Sequence, residues 1–91
     1  MTPDSDALRR AILNAAGERG PQKSICPSEV ARDLGGATWR ALMPAVREAA
    51  ADLVDEGCVR VTRGGCDVDA RNPGGPVRIA IVPGDDHAEN A

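Results

Sequence analysis

Apolar side chains recur at steps of three and four along the chain up to Gly57, which is the spacing of amphipathic helices. The first predicted helix begins near Asp4 or Ser5, either of which can cap free backbone N–H groups, and runs to about Arg19. Gly20-Pro21 then ends it. Its predicted buried stripe consists of Leu8, Ala11, Ile12 and Ala15.

After this helix, residues 23–25 are predicted to form a short strand at most, and a second helix is predicted to begin at Pro27. Proline suits the first helical position because its missing N–H would be unpaired there in any case. Gly35-Gly36 ends this helix, and we expect Gly35 to take the left-handed backbone conformation. The positions predicted to face the core are Val30, Ala31 and Leu34.

A third predicted helix follows almost at once, with Thr38 as its cap and Gly57 beyond its end. Because Pro44 lies inside it and removes one intrahelical hydrogen bond, we expect either a kink there or a short turn followed by a helix that restarts at Pro44. The apolar pattern is clearest here, and the positions predicted to be buried are Trp39, Leu42, Met43, Val46, Ala49, Ala50, Leu53 and Val54.

Beyond Gly57 the apolar spacing changes to two, which predicts two strands that each bury one face. The inward positions are Val59 and Val61 in the first strand and Val77, Ile79 and Ile81 in the second. Residues 63–76 between them are too long for a tight hairpin turn and too polar to be buried, so we expect a protruding loop.

The order helix, short strand, helix, tight glycine turn, helix, strand, loop, strand is typical of a winged helix-turn-helix. The sequence therefore predicts a mainly α fold with a small antiparallel β-hairpin, in the α+β class. We expect one domain over residues 5–82, a flexible N-terminus over residues 1–4 and an acidic disordered tail over residues 83–91.

Two stretches carry a resemblance to a known family: residues 25–32, ICPSEVAR, and residues 39–47, WRALMPAVR. They resemble a small bacterial family catalogued as domain of unknown function family 3253, within the winged-helix group. The similarity covers roughly residues 6 to 82. The resemblance implies a winged helix and implies no activity, because none is established for that family.

Composition narrows the class of protein. The 91 residues suit one small domain, and 11 basic against 14 acidic residues give a net charge of −3. No apolar run approaches the length of a membrane helix, about 18 residues, and the N-terminus lacks the pattern of a secretory signal. We therefore expect a cytoplasmic protein without a membrane partner. The cysteines lack zinc-site spacing and are expected to be reduced, buried small hydrophobes: Cys26, Cys58 and Cys66.

The reactive groups that catalysis needs are few. His87 is the sole histidine, which excludes a two-histidine iron site and leaves a Ser-His-Asp triad dependent on the predicted tail folding back. No glycine-rich stretch has the Gly-Lys-Ser/Thr ending of a phosphate loop. We expect no enzymatic activity, no cofactor and no metal. Asp67 and Asp69 are expected to be solvated loop acids rather than cation ligands.

Basic residues in the third helix and the loop favour binding to double-stranded DNA. Arg40, Pro44, Arg47 and Ala51 fall in one row at steps of three or four on the predicted outer face of this helix. A small, basic helix face can enter a major groove, and a neighbouring loop can contact phosphates. The predicted DNA-binding residues are Thr38, Arg40, Arg47, Arg63 and Arg71.

An alternative is that the winged helix docks another protein or serves as an accessory module without binding DNA. A sequence pI of about 5.0 is low for a DNA-binding domain, and the predicted face lacks Asn and Gln to read bases. A broad exposed apolar patch would favour a protein partner. A continuous positive surface that joins the third helix to the loop would favour DNA.

Overall fold

Three α-helices precede a small antiparallel sheet in the computed structural model, which describes residues 4–71 and 75–82. The predicted acidic tail and, apart from Asp4, the predicted flexible N-terminus lie outside the described residues. Helix α1 spans Ser5–Arg19, α2 spans Pro27–Gly35 and α3 spans Trp39–Asp55. These bounds confirm the predicted helices to within about two residues, the usual uncertainty at helix ends.

Local chemistry sets the ends of the helices. Asp4 caps α1, and its Oδ1 accepts a hydrogen bond from the Ala7 N–H at 2.9 Å. A single 3-10 turn connects α2 to α3, and there the Thr38 hydroxyl donates to the Gly35 carbonyl at 2.9 Å instead of capping α3. Helix α3 is continuous through Pro44, so the alternative in which the helix restarts at that proline is wrong.

The sheet lies beside the helices and has the strand order β2-β1-β3, all antiparallel. Strand β1 spans Val59–Arg63, β2 spans Cys66–Asp67 and β3 spans Arg78–Ile81. Ile25 extends β3 on its free side, because it exchanges two backbone hydrogen bonds with Ile79, each 2.8 Å long. This bridge confirms the prediction of a very short strand before α2.

Strand β2 differs from the expectation of one long loop. Gly64 and Gly65 both have positive φ, 62° and 87°, and form a two-residue turn that pairs Arg63 with Cys66. The predicted loop therefore opens with a tight hairpin. It is also wrong that the whole loop is too polar to be buried, because Ala70 is 3% exposed and belongs to the core.

The core lies where α3 meets the other helices and the sheet. Leu42 and Val46 are 6% and 0% exposed, which confirms the predicted phase of α3. The apolar sides of α1, α2, β1 and β3 surround them. The largest fully buried side chains are Ile12, Ile25, Leu53, Ile79, Val30 and Val46. The fold is mostly helical α+β, as predicted.

Leu34 is a predicted core residue that the structure leaves outside, at 37% exposure. The close contact between the end of α2 and α3 is made by Gly35 instead, where an added Cβ would lie 2.7 Å from Leu42 Cδ1. Gly35 is therefore needed for space, and the positive φ expected of it belongs to Gly36, at 54°.

Two other burial predictions are wrong at the edges of the core. Val54 is 38% exposed, because it follows Arg47 by two helical turns and shares that outward side of α3. Cys66 is exposed on the β1–β2 hairpin, whereas Cys26 and Cys58 are half-buried. All three thiols are free.

Candidate nucleic-acid interface

The N-terminal half of α3 presents two of the predicted arginines to solvent. Arg40 is exposed and Arg47 is half-buried, and their spacing of two helical turns puts both on one side of the helix. Pro44 lies exposed between them. Within the described part of the chain, neither guanidinium forms a salt bridge.

Trp39, at the start of α3, brings a further guanidinium group, that of Arg32, beside Arg40. Arg32 from α2 and Arg40 from α3 lie over its ring, 4.6 and 4.7 Å from the ring centroid. Such cation–π contacts position a guanidinium without neutralising its charge. Trp39 is half-buried and packs against the core with part of its surface, so the prediction of a core position is correct only in part.

A pocket of about 420 Å³ opens beside this tryptophan, between the start of α2, the first half of α3 and residues 75–77. Arg47 and Gly75 both line it. Arg63, at the end of β1, reaches the same segment, because a Cβ added to Gly75 would lie 3.2 Å from the Arg63 Nη1. The predicted residues Arg47 and Arg63 therefore both lie near the segment 75–77.

We use the term arginine face for Arg32, Arg40, Arg47 and Arg63. Thr38 lies exposed at its edge, next to Trp39. Four other arginines pair with carboxylates, whereas no member of the arginine face does so within residues 4–71 and 75–82. The paired ones are Arg9, Arg19, Arg60 and Arg71. Unpaired positive charge is thus concentrated around the first half of α3.

Arg71 is the one predicted site residue that the structure places apart from this face. Its Nε donates to Glu48 Oε2 at 2.6 Å, its Nη2 donates to Asp52 Oδ1 at 2.9 Å, and Asp55 lies 3.7 Å away. The hydrogen bond to Glu48, followed by the charges of the nearby acids, raises the pKa of the Arg71 guanidinium. A phosphate contact by Arg71 stays a prediction, and it would require release from these carboxylates.

The loop that carries Ala70 and Arg71 also reduces the exposed part of the outer face of α3. Ala51 was expected to share an exposed row with Arg40 and Arg47, but it is 3% exposed. Ala70, beside Arg71, is buried in the same cluster, which indicates that the loop covers this half of the helix. Of the predicted row from Arg40 to Ala51, only the part up to Arg47 is therefore accessible.

Arg32 was not predicted as part of the site. Its position near the end of α2 carries no periodic signal, and it reaches Trp39 only because the Gly35–Thr38 turn brings the two helices together. Arg63 was predicted from its loop position alone, and its contact with Gly75 depends on the pairing of β1 with β3.

The acidic loop residues make protein contacts. Asp67 Oδ1 accepts a hydrogen bond from Arg60 Nη2 at 3.2 Å, and Asp69 Oδ1 accepts one from the Arg71 backbone N–H at 3.0 Å. Over the described ranges, no group of three His, Cys, Asp or Glu side chains is placed to hold a metal ion. Nor does any helix in those ranges have the length and apolar character needed to cross a membrane.

Comparison with known proteins adds one match. A family model described as "Protein of unknown function (DUF3253)" matches residues 5–82. No curated protein matches the sequence.

Proposed function

The chain belongs to the DUF3253 family of proteins of unknown function, and we propose that it is a winged-helix protein that binds double-stranded DNA. In this proposal the N-terminal half of α3 enters the major groove, and Arg63 contacts the phosphate backbone beside it. The observation that carries the proposal is the convergence of four arginines without carboxylate partners on one face of the described structure.

The topology supports the winged-helix part of the proposal. A short strand at Ile25 separates α1 from α2, and a single 3-10 turn separates α2 from α3. The remaining strands follow α3, and the last of them pairs with both β1 and Ile25. A helix-turn-helix followed by a β-hairpin is the arrangement that places a recognition helix beside a wing.

The charge state of the arginine face supports the choice of ligand. A phosphate can bind these guanidinium groups without first breaking an internal salt bridge in the described structure. Charge-assisted hydrogen bonds from arginine to phosphate are short and frequently bidentate. Within the described residues, Glu48, Asp52 and Asp55 hold Arg71, and no Asp or Glu lines the pocket beside Trp39.

The net charge of −3 sets the expected strength of binding. Long-range repulsion between an acidic protein and DNA weakens the complex, and the local arginines must overcome it. We therefore expect modest affinity that depends strongly on salt, within the range of about 10⁻⁴ to 10⁻⁶ M that is typical of non-specific binding.

Fluorescence anisotropy with a labelled mixed-sequence duplex tests the proposal. Arg47→Glu is expected to weaken binding roughly tenfold or more, because it replaces a charge-assisted contact with repulsion. Arg10→Glu is the control, since Arg10 also lacks a salt bridge in the described part of the chain but lies exposed on α1. Equal losses in the two variants would refute a specific role for the arginine face.

The competing role, docking of a protein partner, has less support. The exposed bulky apolar residues of the described part are Leu34 and Val54, which lie at the ends of two different helices. They do not make the broad apolar patch that protein-binding surfaces usually have. If the protein showed no measurable affinity for duplex DNA, docking of a protein partner would become the better-supported function.

A further inference from the structure

We propose that the pocket between α2, α3 and residues 75–77 binds a small organic anion, a monocarboxylate with a compact apolar body. This inference goes beyond DNA binding, because it concerns the inside of the pocket and needs no nucleic acid. It rests on three properties of the pocket: its apolar walls, the guanidinium groups around it and its size.

The walls of the pocket are mostly apolar. Trp39 and Met43 contribute from successive turns of α3, Pro27 lies at the start of α2, and Val77 lies opposite on the segment before β3. Apolar walls with a few polar groups are the usual make-up of small-molecule sites. A hydrocarbon or aromatic body would be removed from water by these side chains, which is the main source of affinity for such a ligand.

The charged side chain among the described lining residues is basic, and the Glu29 carboxylate reaches the lining residue Cys26 only through its backbone N–H, at 3.0 Å. Arg47 lines the pocket, Arg63 Nη1 lies 3.2 Å from where a Cβ on the lining residue Gly75 would be, and Arg78 donates from Nη1 to the sulfur of the lining residue Cys26 at 2.8 Å. No carboxylate belongs to the lining within the described residues. An uncharged ligand could not form an ion pair with these guanidinium groups, and a cation would be repelled by them, so the complementary ligand is an anion.

The volume of about 420 Å³ lies near the lower end of the range for small-molecule pockets, about 300–1,000 Å³. This size suits a single acid with a short chain or one ring. Arg47 is the natural partner of the carboxylate, because it is the charged residue among those that line the pocket.

Tryptophan fluorescence is a direct probe, because Trp39 is the only aromatic residue of the chain and lines the pocket. Titration with octanoate is expected to change this fluorescence in a saturable way, with a Kd below about 1 mM. The uncharged analogue 1-octanol is expected to bind at least about tenfold more weakly, because it cannot pair with Arg47. Equal affinities, or no change with either compound, would overturn the proposal.

Two variants assign the effect to the pocket. Arg47→Gln is expected to remove most of the preference for octanoate over octanol, whereas Arg10→Gln, an exposed position on α1, is expected to retain it. Amide NMR shifts give a second measurement that does not depend on a variant. Octanoate is expected to move the signals of Ser28, Gly75 and Val77, which line the pocket. Shifts confined to other parts of the chain would contradict the assignment.

This test is separable from that of the proposed function, because it contains no DNA. Binding of duplex DNA without binding of octanoate would support the proposed function and contradict the proposed pocket ligand. Binding of octanoate without binding of DNA would support the pocket ligand and contradict the proposed function.

Discussion

Leu34 and Leu42 are identical side chains with different surroundings, since their exposed fractions are 37% and 6%. Leu42 packs against Gly35 at the contact between α2 and α3, whereas Leu34 ends α2 outside the core. We expect Leu42→Ala to lower the free energy of unfolding by about 2–5 kcal/mol, as is typical of buried leucines. Leu34→Ala is the control and should change it by less than about 1 kcal/mol.

Urea denaturation of the two variants measures this difference. A cost for Leu34→Ala that matches that of Leu42→Ala would contradict the described packing of α2 on α3.

Two glycines have opposite requirements. Gly17 lies inside α1 with nothing within 4 Å of an added Cβ, whereas Gly57, just after α3, has a φ of 79°. Gly17→Ala is expected to stabilise the protein by about 0.5–1 kcal/mol, because alanine loses less backbone freedom in a helix. Gly57→Ala is expected to destabilise it by roughly 1–2 kcal/mol, because L-residues are strained at positive φ. Thermal unfolding of both variants checks the signs, and shifts in the same direction would contradict the described backbone.

At the scale of single elements, Glu29 makes the stability of the protein around helix α2 depend on pH. Its Oε2 accepts a hydrogen bond from the Cys26 backbone N–H at 3.0 Å, and its Oε1 accepts one from Arg19 Nη2 at 2.7 Å. The bond from Cys26, with help from Arg19, lowers the pKa of Glu29 from its ordinary value of 4.5. A lowered pKa in the folded state contributes stability that is present above the ordinary pKa and is lost as pH falls through the folded one.

We therefore expect Glu29→Gln to be less sensitive to acid than the unaltered protein. The melting temperatures of the two proteins should differ at pH 7 and converge as the pH falls from the ordinary value of 4.5 through the lowered pKa of the folded state, where the carboxyl group takes up its proton. Asp67→Asn is a suitable control, because Asp67 is exposed and its partner Arg60 lies on the neighbouring strand. Parallel melting curves over the whole pH range for Glu29→Gln and the unaltered protein would contradict the role of Glu29.

The elements themselves were largely predictable because their ends depend on nearby residues. Asp4, Pro27 and the glycines after α2 act locally, and they define the helices in the sequence as they do in the structure. Strand β2 was missed because Gly64-Gly65 and the later glycines are both suitable turns, and only pairing with β1 decides between them. Leu34 was misplaced because periodicity identifies the inner side of a helix but not where the neighbouring helix stops covering it.

At the scale of the whole molecule, two sets of charges divide α3. The first half of the helix carries Arg40 and Arg47, which have no salt bridge within the described residues, and the second half carries the acids that hold Arg71. The helical spacing of Arg40 and Arg47 was enough to predict from the sequence that they lie on one side of α3. The pocket, Arg32 and the anchoring of Arg71 required contacts between distant segments, which a single sequence does not specify.

The number of arginines without salt bridges predicts how many DNA phosphates the protein neutralises. Arg40, Arg47 and Arg63 are sequence-predicted DNA contacts that have no salt bridge in the described part of the chain. Three phosphate contacts correspond to a slope of about −2.7 for log affinity against log salt concentration, at about 0.9 per phosphate. A fourth contact, made by Arg32 or by Arg71 after release from its carboxylates, would steepen the slope to about −3.6.

The salt dependence of duplex binding, measured by anisotropy from about 50 to 200 mM salt for the unaltered protein and Arg47→Ala, counts the phosphate contacts of the arginine face. We expect a slope near −2.7 that becomes shallower by about 0.9 in Arg47→Ala. An identical slope in both proteins, or no binding at about 100 μM protein in about 50 mM salt, would contradict the claim that the arginine face binds DNA.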